Sequence, residues 1–202
     1  MWSTVCRHWS LAGIMLILAG CASVPPAIQP STPEIHQQHL ADLATIQQFH
    51  LKGRIGVQTD TRGFSGSTQW QHSAAQDQIA LFSPLGSQVA SITRTPHGVN
   101  LVTSDNKRYE ATDAETLTEQ NLGWRLPMSG LSDWVLGRPD KHAVDTVQWD
   151  EAGRITSLEQ DGWHIEYGQY VLTDNHQLPT RITLRNASKL TLKLIVQQWQ
   201  IQ

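Results

Sequence analysis

The stretch Phe49–Gln58, FHLKGRIGVQ, decides the fold class of this chain. Its large apolar residues, Phe49, Leu51, Ile55 and Val57, all fall on odd positions, and every charged residue of the stretch falls between them. A period of two is typical of a strand with one buried face and one solvated face. The chain is therefore predicted to enter β structure at Phe49.

Further short strands follow this one on both sides of a helical interval. The dipeptides and tetrapeptides between them, such as Thr95–Gly98 (TPHG), are rich in turn-forming residues, which indicates hairpins and an antiparallel meander. The last strand places Leu190, Leu192, Leu194 and Val196 on one face, as a half-buried strand would. The predicted strands after the first cover residues 64–72, 78–82, 88–93, 99–103, 108–111, 144–149, 154–160, 163–167, 181–186 and 190–199.

Three segments have helical spacing instead. Residues 34–48 carry a narrow apolar stripe, residues 113–122 form a second helix, and residues 128–136 a third, for which Gly137 is a plausible C-cap. So many strands with so few helices predict a mainly β fold. The expected architecture is a strongly curved antiparallel sheet or incomplete, unclosed β-barrel, with the helices covering its concave face.

The N-terminus has the layout of a secretory signal. Residues 1–20 contain Arg7 and then an apolar run of about ten residues, whereas a membrane-spanning helix needs roughly 20. The run ends in Leu18-Ala19-Gly20-Cys21, which resembles the bacterial lipobox, where a lipid is joined to the Cys sulfur and the chain is cut just before it. The mature chain is therefore expected to begin at an acylated Cys21; the alternative is an ordinary signal peptide.

Residues 21–33 are predicted to be a lipid-anchored tether. Four prolines among small and polar residues favour an extended segment that holds the following domain, residues 34–202, away from a membrane. Residue 22 is Ala, and Asp at this position usually marks inner-membrane retention in enterobacterial lipoproteins. Ala22 therefore resembles the outer-membrane class.

The composition limits the kinds of function that the chain can have. After removal of residues 1–20 the chain keeps 14 basic and 18 acidic residues, a net charge of −4, which gives no electrostatic footprint for nucleic acid. Cys6 is removed with the leader and Cys21 is acylated, so no internal disulfide is expected. Six tryptophans remain, and scattered tryptophans are usually core or rim residues.

The sequence shows no catalytic constellation. Ser65 lies in FSGS inside a strand pattern and lacks the Gly-x-Ser-x-Gly order. His36 and His39 lie three apart on the first helix, but without further ligands two solvated histidines are expected rather than a metal site. No metal or cofactor is therefore predicted, although a periplasmic hydrolase with an unrecognised site stays an alternative.

Two stretches suggest a specific function. In Leu81–Ser91, LFSPLGSQVAS, Pro84 and Gly86 supply turn geometry and hold Leu85 between them, where it either projects or packs on its own domain. In Leu122–Gly137, LGWRLPMSGLSDWVLG, aromatic and aliphatic residues would face the sheet interior, for which core packing is the default interpretation.

Five features follow one another along the chain. They are the lipobox, the Pro-rich tether, the first helix, the Pro-Leu-Gly hairpin and the segment with Leu126, Pro127, Leu131, Trp134, Leu136 and Gly137. Their order resembles that of the LolB family, the outer-membrane lipoprotein receptors of Gram-negative bacteria. The resemblance covers essentially the whole mature chain. It implies an incomplete barrel whose helices form a lid over an apolar cavity. It also implies that Leu85, with Pro84 and Gly86, forms a membrane-insertion loop, and it suggests Trp124, Leu131, Trp134 and Leu136 as candidates for the acyl cavity.

The resemblance further implies a function without catalysis. The protein is expected to be a monomer at the periplasmic face of the outer membrane. There it would accept triacylated lipoproteins from the periplasmic carrier LolA and insert them into the outer-membrane lipid. A passive scaffold lipoprotein that binds a protein partner with its curved sheet is the alternative.

Overall fold

A computed structural model describes residues 32–187 and 190–202. The predicted leader, Cys21 and nearly all of the predicted tether lie outside the described residues, and Pro33 is already the first residue of a helix. No described helix is long and apolar enough to cross a membrane.

Three helices and thirteen strands make up the described part of the chain. In chain order they are α1 Pro33–Leu43, β1 Phe49–Gln58, β2 Gly63–His72, β3 Asp77–Phe82, β4 Gln88–Thr95, β5 Gly98–Thr103, β6 Arg108–Ala111, α2 Ala114–Leu122, α3 Leu131–Trp134, β7 Val144–Trp149, β8 Ile155–Gln160, β9 Trp163–Tyr167, β10 Tyr170–Thr173, β11 His176–Pro179, β12 Arg181–Asn186 and β13 Thr191–Ile201.

Eleven of these strands form one antiparallel sheet in the order β6-β5-β4-β3-β2-β1-β13-β12-β9-β8-β7. The first and last strands of the chain pair at its centre, and β6 and β7 end it without pairing with each other. The sheet is therefore curved but unclosed, and the predicted fold class is confirmed.

The central pair β1–β13 contains a bulge that requires glycine. The register passes from Lys52 opposite Gln198 to Gly53 opposite Val196, which leaves Gln197 unpaired. A Cβ on Gly53 would lie 2.4 Å from the carbonyl oxygen of Ile195. A bulge with so close a backbone approach bends the strands that contain it, here the central pair of the sheet.

The inward faces of the strands, the helices and the segment after α2 share one hydrophobic core that extends from Leu43 to Trp199. The predicted alternation is confirmed in β1, where the odd positions are buried, and in β13 from Leu192 to Val196. Trp70, Trp124, Trp134 and Trp199 are buried, as expected for core tryptophans. The described residues thus share a single continuous core, as a domain that folds as a unit requires.

Two helices are shorter than predicted. The first ends at Leu43 instead of residue 48, because the chain must leave the helix for Phe49 to pair with both His72 and Ile201. Helix α3 has only four residues, since Pro127 lacks an amide donor and Gly130 precedes the helix. The C-cap of α3 is Val135 and not the predicted Gly137, because the helix ends early. Gly137, at φ +81°, ends the turn that follows, with the Arg138 amide donating to the Asp133 carbonyl.

The hairpin β10–β11 was not predicted. It forms a separate two-stranded sheet, and its turn residues Asp174 and Asn175 have φ values of +46° and +70°. Two consecutive residues with positive φ are typical of a two-residue hairpin turn, for which Asp and Asn are suited.

Helix α1 lies against the second half of the sheet. The His36 ring stacks on Trp149 at 4.2 Å between centroids, and its Nδ1 lies 2.7 Å from the Gly153 carbonyl oxygen. Asp42 accepts a hydrogen bond from His176 at 2.9 Å, which ties α1 to β11. His36 is buried, so the expectation that both helix histidines are solvated is wrong for this residue.

Candidate functional site

An open cleft of about 760 Å³ lies between α2 and the β1–β6 half of the sheet. A volume of this size is within the range of small-ligand sites, about 300–1,000 Å³. Polar residues, among them Arg62, Asp105 and Asn121, stand at its margin. Its apolar wall is formed by Val57, Phe64, Leu81, Val89, Ala90, Tyr109, Leu122 and Trp124.

Helix α2 and the turn after it place Leu122 and Trp124 in this wall. The Asp113 side chain caps the helix by accepting from the amides of Glu115 and Thr116 at 3.2 and 2.9 Å, and these bonds hold the pKa of the Asp113 carboxyl well below its usual range. Gly123 ends the helix with φ +85°, and Trp124 follows directly.

Thr118 fixes the chain beyond Trp124. Its hydroxyl donates to the Ala114 carbonyl at 2.9 Å and accepts from the Leu126 amide at 3.0 Å. These bonds hold the descending segment against the helix. The cleft therefore has one wall whose position is set by a capped helix and a buried hydroxyl.

The other three predicted acyl-cavity residues lie elsewhere. Leu131, Trp134 and Leu136 are buried against the β8–β9 half of the sheet and do not line the cleft. The Trp134 indole donates to Gln160 Oε1 at 2.8 Å, and its carbonyl accepts from the Tyr167 hydroxyl at 2.9 Å. In this structure α3 and its flanking residues fill the half of the concave side that lies outside the cleft.

Sequence reasoning did not single out the strand residues of the cleft wall. Alternation predicts that Val57, Leu81 and Ala90 face inward, but it cannot tell which inward residues a helix covers. The short length of α3 and the position of α2 over β5 and β6 leave a cleft beside these residues, which are themselves almost fully buried.

The predicted hairpin loop joins β3 to β4 with a tight turn. The Ser83 amide donates to the Ser87 carbonyl at 2.8 Å, and the Gly86 amide donates to the Ser83 carbonyl at 2.9 Å. Gly86 has φ +85°, a conformation that suits glycine. The Leu85 side chain is 95% exposed, so it projects from the domain.

Two polar clusters lie outside the cleft. Asp77 accepts hydrogen bonds from the Trp70 indole at 2.9 Å and from Arg94 Nε at 2.9 Å, and its Oδ1 lies 2.6 Å from His72 Nδ1. Burial alone would raise the pKa of the Asp77 carboxyl, but the His72 hydrogen bond and the Arg94 charge outweigh it and lower the pKa. With both oxygens engaged, this cluster joins β2, β3 and β4.

The second cluster brings together Asp140, His142 and Asp161. One potential ligand atom from each lies within 4.8 Å of the others, with His142 Nδ1 at 2.5 Å from Asp140 Oδ2 and 3.0 Å from Asp161 Oδ2. His142 and Asp161 are exposed, whereas the Asp140 side chain is buried, and the contacts join one histidine to two carboxylates.

The fold resembles that of a LolA superfamily protein from Nitrosomonas europaea, with a TM-score of 0.52 at 11% identity, over 83% of this chain and 93% of that chain. Identity this low supports a likeness of fold alone.

Relatives of higher identity are known by sequence. The outer-membrane lipoprotein LolB of Nitrosomonas europaea is 38% identical over 207 residues, covering 96% of this chain and 92% of the relative. LolB of Thiobacillus denitrificans is 38% identical over 190 residues, covering 94% and 95%. The family model described as outer membrane lipoprotein LolB matches residues 47–199, from the start of β1 almost to the end of β13. This chain therefore belongs to the LolB family of outer-membrane lipoproteins.

Proposed function

We propose that this protein is an outer-membrane lipoprotein receptor, which accepts acylated lipoproteins from the periplasmic carrier LolA and inserts them into the outer membrane. The observation that carries the proposal is the open apolar cleft under α2, in a chain of the LolB family whose fold resembles that of a LolA superfamily protein. The scaffold and hydrolase alternatives have no comparable support.

The energetics of acyl chains explain why such a cleft is needed. Burying one methylene group contributes about 0.8 kcal/mol, so a 16-carbon chain exposed to water costs on the order of 13 kcal/mol. A triacylated protein therefore needs an apolar shelter between the carrier and the bilayer. Transfer then requires only that affinity rise from carrier to receptor to membrane, and no covalent step.

The proposal assigns a role to each part of the chain. Residues 1–20 are the signal peptide, and acylated Cys21 with the tether anchors the domain. Trp124 contacts acyl chains in the cleft. Leu131, Trp134 and Leu136 form a lid, whose movement would extend the cleft along β8 and β9.

Delivery is assigned to the hairpin loop. Pro84 and Gly86 hold Leu85 away from the domain, where it can enter the hydrocarbon region of the membrane. The loop joins β3 and β4, which also supply Leu81, Val89 and Ala90 to the cleft, so the two parts of the site share the same hairpin.

The decisive experiment mixes the chain from Ala22 onward with a loaded carrier and follows the lipoprotein by affinity pull-down. Transfer of the acylated lipoprotein, and not of its unacylated form, is expected. Leu122→Gln, in the cleft wall, should reduce this transfer, whereas the control Leu40→Gln, on a half-buried leucine of α1, should not. Equal transfer of acylated and unacylated protein would refute the proposal.

A further inference from the structure

The outer face of the central strands carries unpaired positive charge. Lys52 and Arg54 of β1, Arg181 of β12 and Lys193 of β13 are all exposed, and within residues 32–187 and 190–202 none of the four forms an ion pair. The mature chain has a net negative charge, so a local set of four unpaired cations is a distinct surface.

Two of these cations line a groove of about 660 Å³ on this outer face. Arg54 and Lys193 stand on neighbouring strands, with the hydroxyls of Ser65 and Ser67 beside them on β2. The lining of the groove contains no carboxylate. It therefore offers hydrogen-bond donors and positive charge to an anion.

The register of the strands leaves room in this groove. Gly56 pairs with Lys193 on one side and with Ser65 on the other, and a Cβ on Gly56 would meet nothing within 4 Å. A glycine at this position keeps the space between the cations free of side chains.

Along the row of cross-strand partners of Lys193, the next acidic residue is Glu166, and its charge is already balanced. Lys193 pairs with Thr183, and Thr183 pairs with Glu166, whose carboxylate lies 2.6 Å from Arg185 Nη1. Glu166 is thus two strands away and engaged, so the groove keeps its positive charge.

The groove is continuous with the hairpin loop that carries Leu85. Ser83, Pro84 and Gly86 belong to its lining, and the side chain of Leu85 itself is almost fully exposed. A leucine that enters the hydrocarbon region would therefore bring the groove to the level of the lipid headgroups.

We propose that this groove is a headgroup site, in which Arg54 and Lys193 bind the phosphate of an anionic phospholipid while Leu85 enters the bilayer. A planar guanidinium matches two phosphate oxygens, and the lysine ammonium adds a point charge. The inference rests on the proposed function, because it takes the Leu85 loop as the part that touches the membrane.

The test measures binding of the chain from Ala22 onward to vesicles of phosphatidylethanolamine, with and without phosphatidylglycerol. Phosphatidylglycerol should strengthen binding, and added salt should weaken that gain. A basic residue near an anionic membrane contributes about fivefold in affinity, from roughly 1 kcal/mol. Arg54→Gln with Lys193→Gln should therefore lower binding about twenty-five-fold. Gly56→Glu, which places a carboxylate in open space, should also abolish the gain.

The matched control is Arg108→Gln with Lys141→Gln. These two residues are exposed, lack ion pairs among the described residues and lie outside the groove, so the double variant loses the same charge. Melting curves verify the fold of all variants. Equal vesicle binding by the two double variants would overturn the headgroup site.

Two further results separate this inference from the proposed function. If the Arg54 and Lys193 variant binds vesicles normally but accepts less lipoprotein from the carrier, the groove serves an acidic protein surface and the headgroup site is wrong. If the chain accepts no lipoprotein at all yet needs both cations for anionic vesicles, the receptor function fails while the headgroup site stands.

Discussion

At the scale of single residues, Leu85 has the most unusual environment. Its side chain is 95% exposed, whereas Leu172, in strand β10 of the β10–β11 hairpin, is 62% exposed. Entry into an apolar phase gives a leucine roughly 2 kcal/mol. This is too little to anchor a domain, but it is enough to bias a contact that must be reversible.

Leu85→Glu should separate acceptance from delivery. The side chain makes no core contact, so the melting temperature and loading from the carrier should stay unchanged, while release of lipoprotein to liposomes should fall at least tenfold. Leu172→Glu is the matched control, an exposed leucine in another hairpin, and should release normally. Unfolding of Leu85→Glu, or undiminished release, would show that Leu85 has no membrane role.

Cys21→Ser removes the thiol that the lipobox requires. The variant should lose its lipid, and the chain should then stay uncut or become soluble. Fractionation of cells and mass spectrometry of the N-terminus measure both effects. Complete membrane association of a variant that has been processed normally would contradict the lipobox interpretation.

At the scale of elements, α3 is the shortest helix and depends on its contacts with the sheet. It has four residues, is flanked by turns, and is held to the sheet by hydrogen bonds from the Trp134 indole to Gln160 and from Tyr167 to the Trp134 carbonyl. So short a helix has little stability of its own and depends on packing.

Trp134→Phe should lower the free energy of unfolding by about 1 kcal/mol, because Gln160 Oε1 keeps its bond from the Asp140 amide. If α3 is a lid, the same change should speed loading, since the helix leaves the sheet more easily. Trp199→Phe, which removes an indole bond to the Pro179 carbonyl, is the matched control. Equal loading rates for both variants would make Trp134 an ordinary core residue.

The elements that sequence predicts well are those whose pattern is local. Strand β1 was predicted with its observed bounds, because alternation acts over a few residues. The end of α1 was placed five residues too late, since pairing of Phe49 with β2 and β13 decides it, and such pairing is not local.

In the candidate site, too, only the features that depend on adjacent residues could be predicted from the sequence. Pro84 and Gly86 indicate a projecting Leu85, because the turn is built from adjacent residues. Trp124 and Trp134 are both buried in the core, yet only Trp124 also lines the cleft. The choice between them depends on where α2 and α3 land on the sheet, which no short pattern encodes.

At the scale of the whole molecule, an open sheet is covered unequally by its helices. Segment α3 fills the β8–β9 side, and α2 leaves a cleft over β1–β6. The two halves meet at the β1–β13 pair, whose outer face carries the basic groove. The apolar cleft and the basic groove therefore lie on opposite faces of the same central strands.

The buried Asp77 makes the stability of the whole domain depend on pH. Its folded-state pKa is lowered, so its stabilisation is complete above the ordinary pKa of about 3.9 and is lost as the pH falls through the lower folded value. Asp77→Asn should cost about 1–3 kcal/mol at pH 7 and should flatten the decline in stability below about pH 4. Denaturant midpoints across this range measure it, and an unchanged slope would contradict the assignment.

The central claim is that acyl chains enter the cleft between α2 and the β1–β6 half of the sheet. The most direct measurement loads the chain from Ala22 onward with a lipoprotein whose acyl chain carries a photoreactive group, and then maps the crosslinks by mass spectrometry. We expect crosslinks on the cleft wall, at Phe64, Leu122 and Trp124. Crosslinks confined to the outer face of the sheet or to the β10–β11 hairpin would contradict it.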